Sequence, residues 1–226
     1  MAGRRAVKKE SLPEIIANDL RQRILSGELA EGEAIRQELL AQEYEVSRMP
    51  VREALKRLSA EGLLHWENNR GGTVVKHSLP EIGEIFDLRI LIEVDLFRRA
   101  IPRMTEADFE TCARLLAKME GAYETEDVSH WGTYNHEYHL ALYAAADRHM
   151  SLEFLERLHL HSDRYVRIHL SVMKQREPAK QEHCKLLELA RAGDTEGGAA
   201  LLAQHIERTK RELLAMIERQ RLQGGE

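Results

Sequence analysis

No run of about 18 uncharged apolar residues occurs anywhere in the 226-residue chain, so the sequence predicts no membrane-spanning helix. Cysteine is scarce. Cys112 and Cys184 stand far apart and form no CxxC pair, which argues against a disulfide framework and for a reducing, cytoplasmic setting. With five prolines and few β-branched runs, the chain reads as mainly helical. The basic start MAGRRAVKKE is followed by no apolar stretch, so no secretory leader is expected. A large charge of one sign is also missing: 33 basic and 38 acidic residues leave a net charge of −5. Any binding to a polyanion must therefore be local. HExxH, nucleophile-elbow and phosphate-loop patterns are absent, which leaves enzyme chemistry without a recognisable motif.

What is present is a core-forming composition, 43% hydrophobic and 31% charged, in a length that suits one large or two small domains. Charge divides the chain. Residues 1–77 carry a net charge of +1 and the rest −6, and nine of the 11 histidines lie beyond residue 77. Pro80, preceded by Ser78-Leu79, reads as the first-turn proline of a new helix. Two domains are expected, 1–77 and 78–226.

In the first domain, Ile15, Ile16, Leu20, Ile24 and Leu25 recur at helical spacing and Gly27 ends the run. A second short helix is expected from Ile35 to about Tyr44. Ser47 is the expected N-cap of a third, with Pro50 in its first turn and Val51, Ala54, Leu55 and Leu58 on one face. Gly62 stops it. Leu63–Glu67 and Thr73–Lys76 read as strands joined by the turn-rich Asn68-Asn69-Arg70-Gly71-Gly72. Three helices followed by a β-hairpin is the winged helix-turn-helix plan. Arg48 and Arg52 lie four apart at the start of the third helix, with Lys56 extending the line. Forked arginines at a helix N-terminus suit major-groove guanines and flanking phosphates.

The stretches SRMPVREAL (47–55) and LSAEGL (58–63), with ILSGEL (24–29) and IRQELLA (35–41) upstream, resemble the DNA-binding domain of GntR-type bacterial transcription regulators. The resemblance spans nearly all of residues 12–77. It implies that Ser47, Arg48 and Arg52 contact double-stranded DNA, together with Arg36, Gln37, Gly71 and Gly72. Two positions depart from the family pattern. Met49 replaces a usual threonine, removing a hydroxyl. Glu45 replaces a usual glycine, which costs about 1 kcal/mol if the turn is left-handed there.

Beyond residue 77 the pattern predicts helices near 80–101, 105–121, 127–146, 148–171, 174–192 and 195–219. Asn135 and His139 are one turn apart on one of them. His183 lies ten residues before Gly193, and His205 eleven after Asp194. In an antiparallel hairpin both imidazoles then stand at one height, roughly 15 Å from the turn. Three imidazoles and an amide could converge on a divalent cation, zinc or nickel; spacing alone equally allows ordinary core or surface histidines. Arg89 falls within the apolar stripe Ile82, Ile85, Phe86, Ile92, Leu96. A buried guanidinium needs an anion, either Glu93 one turn on or an external carboxylate. Arg164, Arg167, Tyr134 and His161 are further pocket candidates. Leu88, Leu91 and Leu96 cannot all share one face, which points to a homodimer.

The number and order of these helices resemble the FCD-type ligand-binding domain of the FadR subfamily, an antiparallel bundle of six or seven helices. That resemblance implies a metal held by Asn135, His139, His183 and His205, with Asn135 in place of a usual aspartate, and a small carboxylate effector on Arg89. The implied protein is mainly α, a dimeric regulator that reads an inverted-repeat operator under control of a small organic acid. A metal sensor with no organic effector, or a metal-dependent hydrolase using Glu137, are the alternatives.

Overall fold

The computed structural model describes residues 10–67, 71–125, 127–172 and 177–223. The chain divides into two compact units, residues 1–76 and 77–226.

In the first unit, α1 (Leu12–Ser26) packs on α3 (Arg48–Ala60). Their contact is a stripe at helical spacing. Ile16, Leu20 and Ile24 of α1 and Val51, Ala54, Leu55 and Leu58 of α3 are all buried. Gly27 ends α1 with φ 85°, a left-handed turn that glycine adopts without a Cβ penalty. Between the helices run β1 (Ala34–Arg36) and α2 (Gln37–Glu43). After α3 come β2 (Leu64–Glu67) and β3 (Gly71–Val74). The three strands form an antiparallel sheet in the order β1-β3-β2. The second helix therefore starts at Gln37 rather than Ile35, because Ile35 pairs with Gly72 in β1. Residues 68–70 of the expected wing turn lie outside the described residues. Arg21 forks onto Glu61 at 2.8 and 2.6 Å, tying α1 to the end of α3.

The turn between α2 and α3 carries Glu45 at φ 54°, the strained left-handed state that costs a residue with a Cβ about 1–2 kcal/mol. Replacing Glu45 with glycine is expected to stabilise this unit by about 1 kcal/mol, after allowing for the looser unfolded chain. Urea denaturation followed by circular dichroism checks it. An unchanged or lower midpoint would show that the turn is not strained.

The second unit contains six long helices among its described residues: α4 (Leu79–Ala100), α5 (Glu106–Glu124), α6 (Val128–Tyr143), α7 (His149–Val172), α8 (Glu177–Arg191) and α9 (Thr195–Gln223). Ser78 and Glu81 form a capping box at the start of α4, and Thr105 and Asp108 another on α5. α4 lies against α9 and α7, α5 against α6, and α8 against α9 and α5. Phe86, Phe97, Tyr138, Leu142, Leu155, Leu186 and Leu202 fill the middle and are fully buried. The break expected at Gly121 is absent. α5 runs on to Glu124 because burial of Met119 and Ala122 outweighs the roughly 1 kcal/mol helix penalty of one glycine. Among the described residues no helix is long and apolar enough to cross a membrane.

Candidate functional site

In the first unit α3 turns a cationic face outward. Arg48, Lys56 and Arg57 are exposed, Arg52 is half-buried, and Met49 is exposed where a hydroxyl was expected. Ser47 is the N-cap residue, yet its side chain makes no capping hydrogen bond, so its hydroxyl is not spent on the helix. Arg48 Nη2 meets Glu38 Oε1 at 3.0 Å, with both side chains about two-thirds exposed. Such an exposed pair is weak. Arg36 is exposed at the end of β1.

Three candidate contact residues have other duties. Gln37 is buried, and its Nε2 donates to the Arg48 carbonyl oxygen at 2.8 Å. It ties the start of α2 to the start of α3. Gly71 has φ 123°, and a Cβ there would lie 1.9 Å from the Ile35 carbonyl oxygen. A Cβ on Gly72 would come within 3.1 Å of the His65 carbonyl oxygen. Both glycines are buried, and the close approach of the neighbouring strands requires glycine at each.

In the second unit three helices bring His139 (α6), His183 (α8) and His205 (α9) together, with candidate ligand nitrogens all within 4.8 Å of one another. Their ring centroids lie 4.7 to 5.5 Å apart, and all three are buried. Burial pushes His139 and His183 well below the ordinary imidazole range, so they are neutral, with a lone pair to offer. The surroundings fix the tautomers. Tyr143 donates its hydroxyl to Glu93 Oε2 at 2.7 Å, so the Tyr143 hydroxyl oxygen accepts from His139 Nδ1 at 3.1 Å. His205 Nδ1 donates to Glu182 Oε2 at 2.6 Å. Arg208 grips that carboxylate at 3.0 and 2.6 Å. Burial works against the charge of Glu182, but the His205 and Arg208 hydrogen bonds hold its pKa at about 2. His139 and His205 thus keep Nε2 free. His183 Nε2 is buried without any hydrogen-bond partner. Three buried imidazoles, two oriented by outer partners and one with an orphaned nitrogen, fit the needs of a divalent cation. Asn135, half-buried, precedes His139 by one turn of α6.

Arg89 has an internal partner. Its Nε donates to Glu93 Oε1 at 2.7 Å and its Nη1 to Ser162 Oγ at 3.3 Å. Glu93 also receives His159 Nε2 at 3.1 Å. Burial opposes ionisation of Glu93, yet Arg89, His159 and His139 hold it well below the usual carboxylate range. Of the two partners the sequence offered for Arg89, the structure shows Glu93 on the guanidinium. The sequence offered Glu93 as a partner of Arg89, but it did not show that Tyr143 and His159 also bond to its carboxylate or that Ser162 accepts from Arg89. The i,i+4 spacing of Arg89 and Glu93 was the one available signal. Of the other pocket candidates, Arg164 and Arg167 are buried on α7 and Tyr134 is half-buried. His161 lies 3.3 Å from His77, outside the triad.

Residues 12–75 match the family model "Bacterial regulatory proteins, gntR family", and residues 84–208 match "FCD domain". The chain is 31% identical to the HTH-type transcriptional repressor GlaR of Escherichia coli (strain K12) over 195 residues, covering 83% of this chain and 89% of that protein. It is 32% identical to the gluconate operon transcriptional repressor of Bacillus subtilis (strain 168) over 132 residues, 58% of this chain and 54% of that one. The solved structure of E. coli McbR/YncC superposes with a TM-score of 0.81 at 24% identity, over 92% of this chain and all of that one, a likeness of fold.

Proposed function

Because the chain belongs to the GntR family of bacterial regulatory proteins and carries an FCD domain, we propose that this DNA-binding transcription regulator, which is not an enzyme, is switched by a metal-centred ligand site in its second unit. The buried histidine triad with its orphaned nitrogen carries the reading. His139, His183 and His205 would hold zinc or nickel, with Asn135 as a neutral fourth donor. A bound divalent cation supplies positive charge and open coordination positions. Three neutral imidazoles leave that charge uncancelled, so a small organic acid is the favoured ligand class. Hydroxy acids, dicarboxylates and sugar acids qualify; one relative is named for the gluconate operon. Arg89 would reach the acid only by sharing it with Glu93. That internal pair favours a second reading, in which the metal alone is the signal. Operator binding that responds to zinc or nickel with no acid present would select it.

The protein would act in the cytoplasm as a homodimer on an inverted repeat, one half-site per winged helix. Leu88 and Leu91, 40% and 69% exposed on α4, offer apolar surface for a second copy. The acid would shift operator binding through its unequal affinity for the DNA-competent and released states. A native mass spectrum of the purified full-length protein tests assembly and metal together. A dimer carrying one divalent ion per chain is expected; a metal-free monomer would overturn the reading.

The DNA face is tested separately. Arg52→Ala is expected to lose about 1–3 kcal/mol of operator affinity and to relax the base preference at its position. Lys56→Ala should weaken all sequences alike and reduce the salt dependence. Footprinting on the protein's own promoter at two salt concentrations distinguishes them. A double Arg48→Ala, Arg52→Ala variant that protects the promoter like wild type would refute the assignment.

A further inference from the structure

An acidic side chain stands beside the helix that must meet a polyanion. Glu38 lies in the first turn of α2, and its Oε1 meets Arg48 Nη2 at 3.0 Å, with both side chains about two-thirds exposed. The neighbouring Gln37 fixes the backbone beneath the pair by donating to the Arg48 carbonyl oxygen at 2.8 Å. The starts of α2 and α3 therefore carry a carboxylate and a guanidinium side by side on a fixed frame. An exposed pair adds little to stability, and a carboxylate near phosphates weakens non-specific attraction. Neither the fold nor bulk DNA affinity accounts for the acid.

The pair matches the edge of one base pair. In the major groove G·C presents two acceptors, N7 and O6 of guanine, then one donor, N4–H of cytosine. O6 and N4 are hydrogen-bonded to each other, so they stand about 2.9 Å apart. Arg48 and Glu38 set a donor and an acceptor 3.0 Å apart, and the guanidinium has further N–H groups for N7. A T·A pair also places an acceptor, O4, beside a donor, N6–H. It puts a methyl group where the fork's second donor would go, however, and turns the adenine N7 lone pair towards the carboxylate.

We propose that Glu38 is a specificity-determining residue that reads one G·C pair together with Arg48, its carboxylate accepting from cytosine N4. The inference rests on α3 entering the major groove with Arg48 at its base-contacting end. Glu38 then acts twice. It favours the matching pair, and it repels DNA in registers that bring a phosphate to its place.

Full-length wild type, Arg48→Ala and Glu38→Ala are compared by fluorescence anisotropy at fixed salt. The duplexes carry the footprinted promoter sequence, with each base pair of one half-site replaced in turn. Both variants are expected to lose about tenfold of discrimination at the same G·C pair. Glu38→Ala should also bind a scrambled duplex about threefold more tightly, because a negative charge has left the face. The cytosine of that pair is then replaced by N4-methylcytosine, which still pairs with guanine but carries a methyl group in place of the major-groove N4–H. Wild type should weaken about tenfold, and Glu38→Ala by no more than about twofold. Glu38→Ala protein with the base preferences of wild type, or an equal methyl penalty in both proteins, would overturn the proposal. Arg48→Ala protein with every base preference intact would instead sink the DNA-face assignment on which it rests.

Discussion

Glu93→Ala is expected to destabilise the second unit by about 3–5 kcal/mol, the usual cost of leaving one partner of a buried ion pair uncompensated. Glu93 is fully buried and Arg89 nearly so. Four donors converge on the carboxylate or stand close to it: Arg89 Nε, His159 Nε2, the Tyr143 hydroxyl and, at 3.8 Å, His139 Nδ1. Removing the carboxylate strands a buried guanidinium without its counter-charge. Arg89→Ala should cost a comparable amount, because it strands the carboxylate. This result discriminates between two roles for Arg89. If the arginine served only an external acid, its loss would leave the ligand-free protein as stable as wild type. Removing both at once, as in Arg89→Met with Glu93→Leu, should recover much of the loss, since an apolar pair of similar volume needs no compensation. The pH dependence follows in sign. The folded-state pKa of Glu93 is lowered, so its contribution is complete above the ordinary carboxyl range near 4.3 and fades only as pH falls through the lower folded value. Urea denaturation of the full-length variants at pH 7 measures the effect. A loss below about 1 kcal/mol for both single variants would show that the pair is not a structural hub.

The physical reasons for what the sequence reveals differ from element to element. The recognition helix is legible because its cap, first-turn proline and apolar stripe are all local, and Ser47, Pro50 and Val51 to Leu58 state them in order. The common height of His183 and His205 is legible because two helices leave one turn at Gly193-Asp194 and rise equally per residue. The three-residue strand β1 is not legible. Its pairing partner, Gly72 opposite Ile35, comes 37 residues later, and no three-residue pattern announces it. Gln37 looks like a free polar side chain until the start of α3 is brought to it. The Glu93 hub is hidden for the same reason. His159 and Ser162 come from α7, and only the packing of α7 against α4 places His159 on the Glu93 carboxylate and Ser162 on Arg89, some 70 residues away. Among 11 histidines, spacing cannot single out that one.

Zinc or nickel added in large excess should raise the stability of the wild-type protein by about 4 kcal/mol at a thousandfold excess over its dissociation constant. For a chain of this size that corresponds to a rise of roughly 8–16 °C in the melting midpoint. The physical ground is that the metal-free site is unfavourable as it stands. It holds three desolvated imidazoles and a buried nitrogen with no partner, and an unpartnered buried polar group costs about 1–3 kcal/mol. A cation relieves that cost in the folded state and finds no preformed site in the unfolded one. His183→Ala should abolish the metal-induced shift while changing metal-free stability little, because it removes the orphaned nitrogen along with the ring packing. His205→Ala should also abolish the shift, yet keep the Glu182–Arg208 pair that stands behind the ring. Asn135→Asp provides the opposite sign. An anionic donor in place of an amide should tighten the metal and enlarge the shift, and by cancelling part of the cation's charge it should weaken a carboxylate ligand. Differential scanning calorimetry of the four proteins, with and without metal, reads all of these outcomes. A wild-type midpoint that zinc and nickel leave unmoved, or a His183→Ala variant that shifts as far as wild type, would show that the triad is an ordinary buried histidine cluster.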